Sequence, residues 1–380
     1  MTADRLALAV ALAAVALGAA PRHAAAADPL VFISAFAPGE QGAIHAYTFS
    51  TADGRLEPLR RTAGAENPFF LALAPDGKHL YATRAGQFGG NESEQVAAYA
   101  VVGRTGAMKP LNRQPSRGTA SCYVTVDKTG KALLVANYGS GSVAALPVEA
   151  DGSLGAAASF DQHRGSSVNP QRQKEPHAHS IVISPDNRYA FSADLGTDQI
   201  YSYKLDPAKA KLTPNDPPFA RAPAGAGPRH LTFHPNGKRL YAINEMGNSV
   251  TVFDYDAGPG TLAPKQTIST LPDGFAGTSY CADVKVTPDG RYLYGTNRGH
   301  DSIAAFRVGA DGRLTRIAVV PSRGKGPQNL AITADGRWLL CANMPGNNVA
   351  VFRIDPGTGR LTSAGEPVAQ PSPSCIMLLP

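Results

Sequence analysis

The residues with chemical capacity gather in a few short motifs. Pro176-His177-Ala178-His179 sets two histidines two residues apart, and Gly227-Pro228-Arg229-His230 joins an arginine to a histidine. Asn244-Glu245 and Asn297-Arg298 each put a charge directly behind an asparagine. His177 and His179 admit three uses: a metal clip, a catalytic pair, or polar filler in a sheet. Residues two apart on a strand point to one side, and His-x-His pairs of that kind bind zinc in other folds. No third ligand stands at a fixed spacing to them, so no residue is assigned to a metal. A histidine, two arginines and carboxylates suit another task. Cations hold negative charge as it grows on a carbonyl oxygen, while a base within reach of water takes its proton.

Such residues act together only if the fold assembles them, and the sequence repeats the element that carries them. The copies read "FFLALAPDGKHLYATR", "CYVTVDKTGKALLVAN", "HSIVISPDNRYAFSAD", "RHLTFHPNGKRLYAIN", "DVKVTPDGRYLYGTN" and "NLAITADGRWLLCAN". Their turn markers Gly77, Gly130, Asn187, Gly237, Gly290 and Gly336 lie 53, 57, 50, 53 and 46 residues apart, the period of a propeller blade. A third strand such as "SVTVFDYD" and a weaker fourth after "DGRL" or "TGRL" complete four strands per unit. The chain opens at "LVFISAFAPGEQGAIHAYTF" with no first strand and ends at "SPSCIMLLP" with a first strand alone. Six complete units and one split unit predict an all-β, seven-bladed β-propeller over residues 28–380. The strand Ser374 to Leu379 is expected to close the ring beside the N-terminal strand, leaving no free sheet edge.

In a propeller the first strand of each unit is innermost, and the second returns to the same channel mouth. Six residues before each turn stand Phe69, Cys122, His179, Arg229, Ala282, Gln328 and Ser374. The second strands end at Arg84, Asn137, Asp194, Asn244 with Glu245, Asn297 with Arg298, and Asn343. Charge therefore concentrates on blades four to six, where His179, Asp194, Arg229, His230, Glu245, Asp283, Arg298 and His300 share one face. His179, Arg229, Glu245 and Arg298 are the expected catalytic groups. His177, Asp194, His230, Asp283, Asn297 and Arg172 are expected to contact substrate. Asp198, in a turn, suits the capping of backbone amides. The polar insertion "FDQHRGSSVNPQRQKE", Phe160 to Glu175, enters this face and reads as a rim or lid, with Asn169, Arg172 and Gln173 as candidate contacts.

The chain is 43% hydrophobic and 17% charged, with 39 Gly and 31 Pro, a turn-rich globular composition. Residues 1–27 stand apart: Arg5, an apolar run from Leu6 to Ala20 and a small-residue tail to Ala27 read as a cleavable signal peptide. The run is too short to span a bilayer, and no other segment reads as a span. A periplasmic or secreted protein is expected. Cleavage removes Asp4, Arg5 and Arg22, so the net charge falls from +6 to +5. No basic run marks a nucleic-acid partner. The four cysteines, Cys122, Cys281, Cys341 and Cys375, show no zinc-type spacing, and any disulfide pairing stays open.

The runs "NPQRQKEPHAHSIVISPDNRYAFSADLGTDQIYSY", "GAGPRHLTFHPNGKRLYAINEMGNSVTVF" and "ADVKVTPDGRYLYGTNRGHDSIAAF" resemble the seven-bladed lactonases of the 6-phosphogluconolactonase type, a family that includes the fungal 3-carboxy-muconate cyclases. The resemblance covers nearly the whole mature chain. It implies a lactonase without a cofactor whose active-site residues are His179, Arg229, Glu245 and Arg298. A signal peptide departs from the cytosolic setting of the phosphorylated sugar lactone and points to a different lactone, such as an aldonolactone. The resemblance implies a small anionic or polyhydroxylated lactone as partner, and a monomer is expected. Lactonising cyclases and exported non-enzymatic propellers with Tyr-Val-Thr-Asn repeats are the rival readings. A quinone-dependent dehydrogenase would bring tryptophan-rich repeats, and Trp338 is the only tryptophan.

Overall fold

Alternating apolar strands separated by tight polar turns build seven antiparallel sheets in the computed structural model, which describes residues 28–380. The expected leader lies outside the described residues. Six sheets come from consecutive segments: blade two begins at Leu71, blade three at Ser121, blade four at Ala178, blade five at Pro228, blade six at Tyr280 and blade seven at Pro327. Blade one is split. Its strand order is Pro373–Leu379, Leu30–Ala35, Ala43–Phe49 and Leu56–Ala63, so the two ends of the chain share a sheet, as the sequence predicts. The seven inner strands touch in cyclic order, and the ring is closed. Blade seven alone has a broken outer strand, Leu361–Ser363 and Val368–Ala369, both paired to Asn348–Ile354.

In blades two to seven each inner strand turns at the Pro-Asp-Gly type sequence because an Asx side chain and a residue in the left-handed region fold the backbone there. Asp289 Oδ1, for example, accepts from the Arg291 amide at 3.0 Å, and Gly290 has φ +75°. Apolar side chains on the two faces of each sheet fill the space between neighbours. Ile243, Val250 and Val252 of blade five meet Val284, Leu293 and Phe306 of blade six in one such layer.

At the other end of the inner strands the ladder is irregular, and this was not legible in the alternation. Blade three pairs Ser121 with Asn137 and Tyr123 with Ala136, leaving Cys122 as an extra residue. The same slip leaves out His179 in blade four, Arg229 in blade five and Gln328 in blade seven, while blade six leaves out both Ala282 and Asp283. A bulge bends the strand and re-aims the extra side chain. Repeated round the ring, it turns the leading residues of the inner strands toward the channel.

The seam between blades seven and one carries its own reporter. Trp338 is buried, donates its indole N–H to the Thr51 carbonyl at 3.0 Å and meets Phe49 edge-on. Ile376 packs into the same layer with Val31, Ile33 and Leu340. Ile376→Ala should cost about 2–5 kcal/mol of stability. Urea unfolding followed by Trp338 emission measures that loss directly, and an unchanged midpoint would contradict a load on the closing strand.

Candidate active site

Four side chains from three blades, and a fifth, Arg172, from the insertion before blade four, converge at the channel mouth. Arg229 and His179 come from the bulges; Glu245 follows Asn244, the last residue of the second strand of blade five, and Arg298, behind Asn297, ends that of blade six. Glu245 is the hub. Its Oε2 accepts from Arg298 Nη2 at 2.7 Å and from Arg229 Nε at 3.1 Å, and its Oε1 accepts from Arg172 Nη2 at 2.8 Å. His179 Nε2 stands 4.0 Å from Glu245 Oε2. These groups, with Phe69, Phe88, Cys122 and Tyr138, line a cavity of about 210 Å³.

Burial sets the charge states. Burial, followed by the nearby Arg229, His230 and Arg298, pushes His179 well below the ordinary histidine value, so its imidazole is neutral at pH 7. Burial would raise the Glu245 carboxyl, but Arg298, Arg229 and Arg172 outweigh it and hold the group ionised. Burial, reinforced by Arg298, pulls Arg229 down to about 10, which leaves it charged near neutrality. Three guanidiniums, one carboxylate and a neutral histidine give the site a surplus of two positive charges.

Two sides of the cavity contrast. The guanidiniums occupy one, and Phe69 and Phe88, stacked 5.2 Å apart with Phe36 edge-on to both, occupy the other. Sequence reading missed Phe88 and Tyr138. Tyr138 follows Asn137 as Glu245 follows Asn244 and Arg298 follows Asn297, so the repeat itself held the signal. Phe88 sits in a loop with no repeat position, and nothing in its surroundings marked it.

The other candidate contacts fall outside the lining. Asp194 is fully buried and spends its oxygens on His163 Nδ1 at 2.7 Å and on the backbone amides of His177 and Thr197. Asn297 ties its strand end to Thr270 and Ser302, the service Asn137 performs for Ser116 and Ser142 in blade three. His177 stacks on Tyr138 and hydrogen-bonds its carbonyl. His230 and Asp283 pair at 2.9 Å behind Arg229. His300 bonds Ser302 and meets Phe275. Burial among protein partners thus corrects the expectation of direct substrate contact for Asp194, Asn297, His230 and Asp283.

The insertion is also redrawn, since Ser159–Gln162 forms the outer strand of blade three and only the chain beyond it crosses the mouth. Asn169 folds its own turn by accepting from the Gln171 and Arg172 amides, and Gln173 is buried against the Leu195 carbonyl. Arg172 alone reaches Glu245. Asp198 caps the amides of Gly225 and Gly227, both at 2.7 Å, and accepts from Ser167, so one turn holds both the insertion and the approach to Arg229.

The family model described as "Lactonase, 7-bladed beta-propeller" matches residues 30–378. The chain belongs to that family. It is 33% identical over 349 residues to a Bacillus subtilis protein named 6-phosphogluconolactonase, covering 92% of this chain and 97% of the relative. A Formosa agariphila protein of the same name is 33% identical over 308 residues, covering 80% and 86%. A solved structure of a Pseudomonas aeruginosa periplasmic gluconolactonase superposes with a TM-score of 0.86 at 33% identity, covering 93% of this chain and 99% of that one. As a member of the family this protein is an enzyme of the lactone-hydrolysing class. All four cysteines are free and buried, and among the described residues no helix is long and apolar enough to cross a membrane.

The neutral histidines tie stability to pH. His230, buried and facing Arg229, is pulled down to about 3, and His179 is lowered too. Below the unfolded value near 6.5 the unfolded chain binds protons that the folded chain refuses, so stability falls as pH falls. His230 should remove on the order of 2 kcal/mol between pH 7 and pH 5, and His179 adds a loss in the same direction. Unfolding at the two pH values measures this loss, and His230→Gln should reduce the slope by one proton.

Proposed function

We propose that the channel mouth hydrolyses a small sugar-derived lactone, such as a gluconolactone with or without a phosphate, by general-base attack of water. The observation that carries this reading is Glu245 clamped by three guanidiniums with neutral His179 beside it. The relatives' names, gluconolactonase and 6-phosphogluconolactonase, support the same substrate class.

Between His179 and Glu245 the geometry favours His179 as base. Both Glu245 oxygens already accept from guanidiniums, and a carboxylate so held is a weak proton acceptor. The His179 side chain is differently placed. Cys122 Sγ lies 3.3 Å from the His179 carbonyl and 3.5 Å from its Nδ1. Burial pushes the Cys122 thiol up to about 12, so it keeps its proton. A thiol donating to the carbonyl receives Nδ1–H, which leaves the Nε2 lone pair for a water in the cavity. The imidazolium formed there would lie 4.0 Å from the Glu245 carboxylate, which stabilises it. Arg229 and Arg298 then receive the charge that develops on the carbonyl oxygen.

No metal is required by this scheme. Both Glu245 oxygens already accept from guanidiniums, and the surplus positive charge around them disfavours a cation there. We also propose that the enzyme works outside the inner membrane. The leader pattern of residues 1–27 supports this, as does the periplasmic description of the Pseudomonas relative.

Purified protein lacking residues 1–27, assayed in a pH-stat with glucono-1,5-lactone, its 6-phosphate and a muconolactone, should open a sugar lactone faster than background and keep that rate in EDTA. Arg229→Ala should lose about 10²- to 10³-fold in kcat. A variant equal to wild type would sink the assignment. In the same assay the acid limb of kcat/KM should have its midpoint below 6.5, because the lowered His179 is already the free base at pH 7. A midpoint at or above 6.5 would count against His179.

A further inference from the structure

Arg229 is 1% exposed, yet it lines the cavity, so nearly every atom of it is committed to the protein. A guanidinium has five N–H donors on three nitrogens. Nε donates to Glu245 Oε2 at 3.1 Å, and Nη1 donates to the Ala282 carbonyl at 2.6 Å and to His230 Nε2 at 3.1 Å. Among the described residues, Nη2 meets no acceptor. It is also absent from the buried polar atoms that lack a partner.

The contact with His230 has only one proton arrangement. Nη1 can only donate, so His230 Nε2 must accept; Asp283 Oδ1, 2.9 Å from Nδ1, can only accept, so Nδ1 carries the proton. Asp283 is over-determined in turn. Its carboxylate also accepts from Lys285 Nζ at 2.7 and 2.8 Å, from Asn329 Nδ2 at 2.8 Å and from the Leu330 amide at 2.9 Å. Asn329 Oδ1 accepts from the amide of Ile376, on the strand that closes the ring, at 2.8 Å. The members His230, Asp283 and Asn329 are all buried.

We propose that Arg229 Nη2 is the donor that meets the developing oxyanion, and that Asp283 and His230 are positioning residues that hold it on target. The proposal rests on the lactone-opening reading of this site. The guanidinium is planar and rigid. Pinning Nε and Nη1 on Glu245, Ala282 and His230 therefore leaves Nη2 a single direction, and the line of contacts runs from the closing strand through blades seven, six and five to that atom. Lysine cannot reproduce this fork.

An amide at position 283 keeps only one acceptor oxygen, which the Asn329 side chain and the Leu330 amide claim at the Oδ2 position; its NH2 then faces His230, so His230 Nδ1 would give up its proton and Nε2–H would face Nη1–H. Two donors would then oppose each other and Arg229 would turn. Asp283→Asn should thus lower kcat about 10- to 100-fold while KM stays within about 3-fold, the pattern of an interaction made in the transition state. His230→Gln should do the same, and serves as the probe if the buried Asp283→Asn chain does not fold.

The deciding experiment is a double-mutant cycle with Arg229→Ala, each variant assayed for kcat and KM on the lactone that wild type opens. If position 283 or 230 acts through Arg229, its substitution should cost no more than about 3-fold in the Arg229→Ala background. A loss in kcat of the same factor with and without Arg229 would overturn the relay, as would single variants with wild-type kcat. Arg229→Ala turning over lactone at the wild-type rate would overturn the reading of the site itself, and with it this inference.

Discussion

A carboxylate buried among three guanidiniums is the constraint on which this molecule turns. Glu245 would be expensive to bury alone, and Arg229, buried beside it, would be expensive to bury without it, while Arg172 and Arg298 reach the carboxylate from the more exposed side. The partners come from the insertion before blade four, from blade five and from blade six, so the cluster exists only when those parts have reached a common axis. Its net positive charge is what the ring of apolar contacts has to hold together. The arrangement is a poor source of stability for the same reason that it is a good site: surplus charge in a place with little water looks for an anion.

The fold meets that demand through repetition with local exceptions. Every blade uses the same alternating strands and Asx-stabilised turns, and the asparagines at the ends of second strands, Asn137, Asn297 and Asn343 among them, fasten the mouth in the same way. On that uniform frame the bulged residue of an inner strand is free to differ. In blade three it is a thiol, in blade four a histidine, in blade five an arginine. Chemistry is thus concentrated where backbone pairing has already been interrupted, and the regular remainder of each sheet is left to packing. Closure matters to the site as well as to the edges, since the amide of Ile376 bonds Asn329, which bonds Asp283.

Much of this was legible in the sequence. The period of the turn markers, the missing first strand at one end and the lone first strand at the other determine seven blades and the split blade, because period-two alternation and Gly or Asn in turns have few other physical meanings. His179, Arg229, Glu245 and Arg298 could be singled out because repeat arithmetic places them on one face. The same arithmetic, extended by one residue, reaches Tyr138. The membership of the lactonase family agrees with that reading of the fold.

What the linear sequence could not separate was a residue that faces the cavity from one that faces its neighbours. Asp194 ends the second strand of blade four and Glu245 stands one residue past the end of that of blade five, yet the first caps amides in the interior and the second is the hub of the site. His230 and Arg229 are consecutive, and a one-residue bulge decides which of them lines the cavity. Side-chain direction on a strand alternates only while pairing is regular, so at a bulge it depends on contacts made with the next blade. The sequence by itself determined the ring and its closure, and singled out His179, Arg229, Glu245 and Arg298 as candidates for the mouth. Only the tertiary structure decided their roles, because charge state and aim depend on burial and on partners some 16 to 73 residues away along the chain.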